Sequence, residues 1–454
     1  MKIIEKPIDD LRYWSKKTNI TDPKQYKLSY YNIFVNDEKN GILYNTFSNA
    51  LAILEMGEVS LYKYYCRINY LDDSTLSKQL IENGFAVHMA IDETKYMLEE
   101  TRSALYLRDR WKQFTILPTQ KCNANCFYCF EKDVKRICMS KSIADDVAEF
   151  IIENTLDVDT FNLDWFGGEP LLEYDLICYM INELRNKSYK RFTSSITTNG
   201  LLFSKERVLE AVHNWNLTRA SITIDGLHDE HNRRKNVGKN VDAFTTTLNN
   251  IALLLDNNVY VNLRVHIDKY NVNQLEDILS YLKPYSKNKL FHLFVEKLFM
   301  PLQVKRHEDQ FRYIKPEESI PFYTEMMILM KKYGFVKSYS SFLSSRRETS
   351  CIGSRRDTVI INSDGNLYNC EQEFYDINNN IGSIYSGVAY NDRYFYMING
   401  KIEGTECEKC IYLPDCVGGC WFTKAVRPHE HLHCMRGRIL TPIAMKLLLD
   451  ELRI

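Results

Sequence analysis

Cys122, Cys126 and Cys129 stand in a CxxxCxxC loop, Cys122-Asn-Ala-Asn-Cys126-Phe-Tyr-Cys129, directly after the strand-like run Gln113-Phe-Thr-Ile-Leu-Pro-Thr-Gln120. Three thiolates this close, with no fourth beside them, suit an iron–sulfur cube with one open corner. Structural zinc normally takes four protein ligands and leaves no open position. An iron left without a protein thiolate can bind a small molecule. The bland alternative is three structural or surface cysteines. A second set follows far along the chain: Cys351, Cys370, Cys407, Cys410, Cys416, Cys420 and Cys434. Its CxxC knuckle can also bind zinc, but seven ligands do not divide into two four-coordinate zinc sites. Cys66, Cys138 and Cys178 complete the 13 cysteines and read as packing thiols.

Between the two sets lie shorter chemical signals. Phe166-Gly-Gly-Glu-Pro170 combines glycines that allow close backbone approach with a carboxylate that can bind an ammonium. Alone, it is also a turn with a helix-starting proline. Ser195-Ile-Thr-Thr-Asn-Gly200 and Ser221-Ile-Thr-Ile-Asp-Gly226 end strand-like runs, and alternation puts Ser221, Thr223 and Asp225 on one face. His228 and His231 are spaced for a metal but read better as part of a solvated loop. Pro428-His-Glu-His-Leu-His-Cys434 reads as a polar loop that delivers Cys434.

The cysteine loop, with Tyr128 before its last cysteine, and the GGEP stretch resemble the radical S-adenosylmethionine (SAM) enzymes. The resemblance implies a [4Fe-4S] cluster on Cys122, Cys126 and Cys129, with Tyr128 in the cofactor site. It further implies that Gly167, Gly168 and Glu169 hold the methionyl amino group of SAM, and that Thr198, Asn199 and Thr223 contact SAM. Arg264 would pair with the SAM carboxylate through its planar fork. The alternative for each single residue is a cap or loop hydrogen bond.

The later cysteines, spaced CX13GX4C…CX2CX5CX3C…C, resemble the SPASM domain, which carries auxiliary iron–sulfur clusters beside a radical SAM barrel. Carried over, Cys407, Cys410, Cys416 and Cys434 complete one cluster, and Cys351, Cys370 and Cys420 hold the other with three thiolates. Some relatives have a further cysteine six residues before the first, and this chain has Ser345 there. That departure leaves the fourth ligand of the auxiliary cluster open between substrate, Ser345, a distant cysteine and another ligand. Glu371 follows Cys370, where sulfatase-maturing relatives carry an acidic residue proposed as a base. A carboxylate there can deprotonate a substrate group, or it is a solvated strand-end charge. The implied cofactors are SAM and three [4Fe-4S] clusters.

The elements that must position these residues read as α/β. Strands over 113–119, 162–166, 193–197, 219–224, 260–267 and 290–296 alternate with helices such as 143–154, 171–187 and 241–256, which predicts a parallel sheet. Six units predict a partial (β/α)6 barrel with its ligands at the carboxyl ends of the strands. Residues 1–25 read as a tail or lead-in. A strand over 26–35, a turn over 36–41 and a strand starting at 42 follow. Asn45-Thr-Phe-Ser48 reads as the cap of a helix through Ala50, Leu51, Ile53 and Leu54. A helix over 76–83 and a strand over 85–88 complete a winged-helix-like module. It resembles the leader-peptide recognition element of peptide-modifying radical SAM enzymes, and the alternative is a structural cap on the barrel. A charged helix over 93–106 links it onward, and 323–333 is the best helix of the 301–350 stretch. The predicted domains are 1–100, the winged-helix-like module; 101–310, the radical SAM partial barrel; and 311–454, the SPASM domain.

With 454 residues, 45% of them apolar and 26% charged, the chain has the composition of a globular protein. Its 58 basic and 59 acidic residues give a net charge of −1, so no global field points to nucleic acid. No apolar signal core and no run of 18 apolar residues is present, which predicts a cytoplasmic protein without membrane partners, in a compartment where thiols stay free for metal. The resemblance implies that SAM is cleaved to a 5′-deoxyadenosyl radical, with an electron donor such as flavodoxin or ferredoxin. The expected partner is a ribosomally made precursor peptide with a leader and a cysteine, and the expected product is a thioether to carbon. Carbon–carbon or carbon–oxygen crosslinking and formylglycine formation are alternatives. A peptide-binding metal scaffold without enzymatic activity is the alternative from a different class.

Overall fold

In the computed structural model the described residues are 1–7, 22–106, 111–131, 136–187, 190–238, 240–298, 312–343, 345–347, 349–399, 402–426, 434 and 436–452. The N-terminal part contains β1 (Lys2–Glu5), β2 (Tyr26–Leu28), β3 (Asn32–Asn36), β4 (Asn40–Asn45) and β5 (Leu51–Glu55). Then come α1 (Met56–Ile68), α2 (Thr75–Glu82), β6 (Ala86–His88) and α3 (Glu93–Tyr106). Strands β1, β5, β4 and β3 form one antiparallel sheet in that order, while β2 pairs with β6.

Three sequence expectations are corrected here. The lead-in is in part a strand, since Lys2 and Ile3 pair with Ile53 and Ala52. The expected strand over 26–35 is two, broken at 29–31, where Ser29 and Glu93 side chains turn the chain. The expected helix through Leu51–Leu54 is strand β5, paired along its length with β4. Asn45 does not cap a helix: its Oδ1 accepts the N–H groups of Phe47 and Ser48 at 3.0 and 2.7 Å and folds a hairpin turn. An asparagine followed by small polar residues serves either purpose. The apolar face that β5 shares with β4 decides it, and the helix begins one strand later, at Met56.

The central sheet comprises β7 (Trp111–Thr119), β8 (Thr160–Gly167), β9 (Arg191–Thr198), β10 (Leu217–Ile224), β11 (Tyr260–Ile267) and β12 (Phe291–Lys297). They lie side by side in chain order and all parallel. Helices return the chain between them, among them α4 (Lys141–Glu153), α5 (Tyr174–Lys187), α6 (Lys205–His213), α7 (His228–Lys235), α8 (Ala243–Asp256) and α9 (Leu275–Leu282). Serines 140 and 204 and Asp242 cap α4, α6 and α8. Alternation sends Leu163, Ile196, Ala220 and Leu263 outward into one core with Val147, Ile177, Val208, Ile251 and Ile278 of the helices. The other face is polar: Thr115, Asp164, Ser195 and Arg219 are neighbours across four strands, as are Thr223, Arg264 and Phe294 across three. This is an open α/β sheet, not a closed barrel.

After α10 (Ser319–Lys332), the hairpin of β13 (Thr358–Ile361) and β14 (Leu367–Tyr368) extends the sheet. Strand β13 runs parallel to β7, with Ile360 opposite Thr115. The last helix, α11 (Thr441–Glu451), puts Met445 and Leu449 against Ile33, Ile42, Tyr44 and Leu51 of the N-terminal sheet. Among the described residues, no helix is long and apolar enough to cross a membrane.

Candidate functional site

The cysteine loop leaves β7 at Thr119, at the carboxyl end of the parallel strands. Cys122, Cys126 and Cys129 line one cleft of about 270 Å³ with Gln120, Glu131 and Gly168. Among the described residues, no three His, Cys, Asp or Glu side chains converge closely enough to hold a single metal ion. Three thiols lining one cleft suit a many-atom cluster with an open corner. Burial pushes Cys122 up to about 11 and Cys129 up to about 12, and raises Cys126 as well. Such thiols ionise when a metal supplies the compensating charge, so the donor set fits the iron–sulfur cluster expected there.

The GGEP turn closes one wall of this cleft. Glu169 N–H donates to Lys121 O at 2.8 Å and Gly168 N–H to Thr119 O at 3.2 Å. A Cβ on Gly168 would lie 2.3 Å from Lys121 O, so only glycine lets the two turns touch. The Glu169 carboxylate is fully buried and accepts from Thr198 Oγ1, Asn199 N–H and Leu171 N–H at 2.8–3.1 Å. Burial raises its pKa against the pull of these bonds. Asn199 Nδ2 reaches Asn123 Oδ1 at 2.7 Å. Thr198, Asn199 and Glu169 thus tie the ends of β8 and β9 to the cysteine loop.

Tyr128 points away from the cleft into a buried charged network. Its hydroxyl donates to Asp225 at 2.8 and 2.9 Å, Lys235 Nζ lies 3.3 Å from the same carboxylate, and His266 Nδ1 lies 3.2 Å from it. Burial opposes ionisation of Asp225, but Lys235 and His266 outweigh it and hold the carboxyl far below the usual range. Burial opposes the Lys235 ammonium, but Asp225 and Cys126 overcome it and raise its pKa. The sequence reading missed Lys235 and Asp225 as a pair, and it expected a solvated loop at His228 and His231. The segment is helix α7, with His231 fully buried and accepting the Asp225 N–H at 3.2 Å on Nδ1. Arg234 is buried too, paired with Asp268 at 2.7 Å and with Glu230. A run as charged as His-Asp-Glu-His-Asn-Arg-Arg-Lys reads as solvated because its partners lie on other strands.

Thr223 and Arg264 face the polar interior in register. The Arg264 guanidinium lies 5.9 Å from the Phe294 ring, and its charge reaches Glu371. Burial pushes Glu371 up to about 7, with Asp164 adding to the effect and Arg264 opposing it. Asp164 accepts from Ser195 Oγ at 2.6 Å. The hairpin on β7 therefore brings Glu371 from the cysteine-rich part to the polar face of the sheet. Asp164 and Glu131 are further acidic groups there that sequence spacing did not single out.

The later cysteines fall into two neighbourhoods. Burial raises Cys351, with Cys420 adding to it, and burial pushes Cys370 up to about 12, with Cys420 and Cys351 adding to it, so the three lie close together. Burial likewise pushes Cys416 up to about 12, with Cys410, Cys407 and Cys434 adding their charges. Lys424 Nζ lies 3.2 Å from Cys407 Sγ. Ser345 is exposed. The loop over 428–433 lies outside the described residues. Of the three expected packing thiols, Cys178 packs against the main core, Cys138 bonds Thr119 Oγ1 at 3.1 Å, and Cys66 is exposed on α1.

Residues 116–282, from β7 to the end of α9, match the model of the radical SAM superfamily. The chain carries a radical SAM domain. The domain is similar to the radical SAM cyclopropyl synthase TigE of Paramaledivibacter caminithermalis, 23% identical over 248 residues, 50% of this chain and 52% of that protein. It is also similar to a probable GTP 3′,8-cyclase of Methanococcus maripaludis, 29% identical over 132 residues, 29% of this chain and 42% of that one. The chain thus spans about half the length of these curated relatives. Among solved structures, anSMEcpe with bound AdoMet superposes with a TM-score of 0.60 at 18% identity, covering 75% of this chain and 99% of that one. Streptococcus suis SuiB bound to S-adenosylmethionine gives 0.50 at 13% identity, covering 87% and 95%. At these identities the likeness is one of fold. The radical SAM domain is that of an enzyme superfamily, and its match takes in the cysteine loop, the GGEP turn, Thr198, Asn199, Thr223 and Arg264.

Proposed function

We propose that this radical SAM enzyme oxidatively crosslinks a ribosomally made precursor peptide, joining a cysteine sulfur to a carbon of another residue. The observation that supports the reading is that Glu371, next to Cys370 of the second trio, shares the polar sheet face with Asp164 and Arg264, while the first trio lies at the carboxyl end of β7. Cys122, Cys126 and Cys129 line a cleft at the end of β7, and the hairpin paired to β7 leads from Cys351 to Cys370 and Glu371. When bound, SAM on a cluster held by Cys122, Cys126 and Cys129 supplies a hydrogen-abstracting radical. Gly167, Gly168 and Glu169 would hold the methionyl amino group of SAM, Thr198, Asn199 and Thr223 would contact it, and Arg264 would pair with its carboxylate. The hydroxyl of Tyr128 anchors the loop from the opposite face.

Cys351, Cys370 and Cys420 would hold an auxiliary cluster with three thiolates and receive the substrate cysteine. Cys407, Cys410, Cys416 and Cys434 would hold the other. Glu371 would take the thiol proton, the 5′-deoxyadenosyl radical would take one hydrogen atom from carbon, and the auxiliary clusters would take the surplus electron as sulfur and carbon join. The N-terminal sheet would read the leader as an added strand. A peptide substrate is in keeping with the fold shared with anSMEcpe, whose structure with AdoMet and Cp18Cys peptide superposes with a TM-score of 0.58. The likeness to a cyclopropyl synthase favours a second reading, a new carbon–carbon bond.

Coexpression with a small cysteine-containing peptide encoded nearby tests this by mass spectrometry. Each link should remove two hydrogens and protect one cysteine from alkylation. Two hydrogens lost with every cysteine still alkylatable would replace the thioether with the carbon–carbon reading. An unchanged peptide together with no 5′-deoxyadenosine formed would defeat both.

A further inference from the structure

Lys235 touches the cysteine loop twice. Its backbone oxygen accepts the N–H of Asn125 at 2.9 Å, between the first two cysteines. Its ammonium lies 3.4 Å from the hydroxyl of Tyr128, just before the third. The side chain is 5% exposed and its partner Asp225 is 0% exposed. On the other flank of the loop, the Phe127 ring lies 4.1 Å from the Arg312 guanidinium and 5.7 Å from that of Arg234. A brace alone would not need a charge. A buried ion pair is costly to form and often replaceable by apolar side chains, so its presence here asks for a reason beyond packing.

The reason lies in where the two charges point. Lys235 Nζ lies against the hydroxyl of Tyr128, the residue between Phe127 and Cys129, while Asp225 directs its oxygens to Tyr128, His266 and Lys235 itself. We infer that Lys235 is a positioning residue for the cysteine loop and supplies the fixed positive charge beside that loop, at Asn125 and Tyr128, that favours one-electron reduction of a cluster bound there. The inference rests on the reading that Cys122, Cys126 and Cys129 hold such a cluster. The electron comes from an external low-potential reductant, and no bond is made or broken. The added negative charge is stabilised by a nearby cation in surroundings of low dielectric. Asp225 has the opposite effect and moderates it.

The test is a potentiometric titration of the reconstituted holoenzyme. It follows the paramagnetic signal that changes on adding SAM and is missing in Cys126→Ala. Lys235→Met should move the midpoint to more negative values by at least tenfold in the reduction equilibrium, about 59 mV for a one-electron couple. Lys235→Arg should restore it, and Asp225→Asn should move it the other way. A packing role predicts no such opposition of sign. Midpoints of Lys235→Met and Asp225→Asn that both match the parent, or that move together, overturn the inference. If Lys235→Met fails to hold a cluster, the direction of the Asp225→Asn shift decides it. A parent protein whose signals all survive Cys126→Ala would instead refute the cluster reading itself.

Discussion

At the scale of single residues, the site depends on close backbone approach and on buried acceptors with few spare partners. Gly168 is the tightest point. In Gly168→Ala the new methyl group would collide with Lys121 O, a backbone atom that cannot swing aside. The variant should fold its sheet but lose iron and sulfide from the cysteine loop, with SAM turnover falling at least ~10-fold. Normal iron content in that variant would remove the close approach from the argument. Glu169→Gln should cost about 1–3 kcal/mol, because one of the three donors now facing a carboxylate would face an amide N–H₂ instead. A thermal midpoint read beside the parent checks it.

His231 gives a pH-dependent prediction. Burial pushes its pKa down from 6.5 to about 4, with Lys235 adding to the effect. The unfolded chain therefore takes up a proton that the folded one refuses as pH falls below 6.5. The stability this group contributes is complete above pH 6.5 and is lost between 6.5 and 4, up to about 3 kcal/mol. His231→Gln has no such group to protonate. Its deficit against the parent in urea midpoint should therefore be largest near pH 7 and narrow toward pH 4.5. A deficit that stays constant over that range would contradict a buried neutral imidazole.

At the scale of elements, the two ends of the chain are packed together. Helix α11 covers one face of the N-terminal sheet with Met445 and Leu449, which are 0% and 3% exposed. Leu449→Ala should destabilise by about 2–5 kcal/mol. The loss should appear as faster amide exchange in β3–β5, not in β8–β11, and uniform loosening would argue against a local interface. The same scale explains which elements could be read from sequence. The six parallel strands and their helices carry strong apolar periodicity and caps, so their ranges agree within a few residues with those expected. Strand β5 did not read correctly, because Asn45-Thr-Phe-Ser48 gives one local signal for both an N-cap and a hairpin. Strand β1 reads as a lead-in because four residues carry no periodicity until a partner edge exists.

At the scale of the whole molecule, the sheet is continuous from β12 to β14, so the cysteine-rich part is built onto the radical SAM domain by backbone hydrogen bonds. On the proposed reading of three clusters and a peptide-binding N-terminal module, Cys126→Ala should remove about a third of the iron and abolish 5′-deoxyadenosine formation while peptide binding persists. A mutant that still makes 5′-deoxyadenosine would reject the role given to the loop.

The sequence alone determined the chemistry on offer. Thiol spacing, two adjacent glycines and regular strand–helix alternation are local properties, and they point to an iron–sulfur site at the carboxyl ends of a parallel sheet. Only the tertiary structure decided which charges meet. Asp225 and Lys235 lie ten residues apart, on a strand end and a helix end, and Glu371 reaches Asp164 through a hairpin added far later in the chain. Whether a lysine is solvated or buried depends on what folds over it, and no pattern within its own segment carries that information.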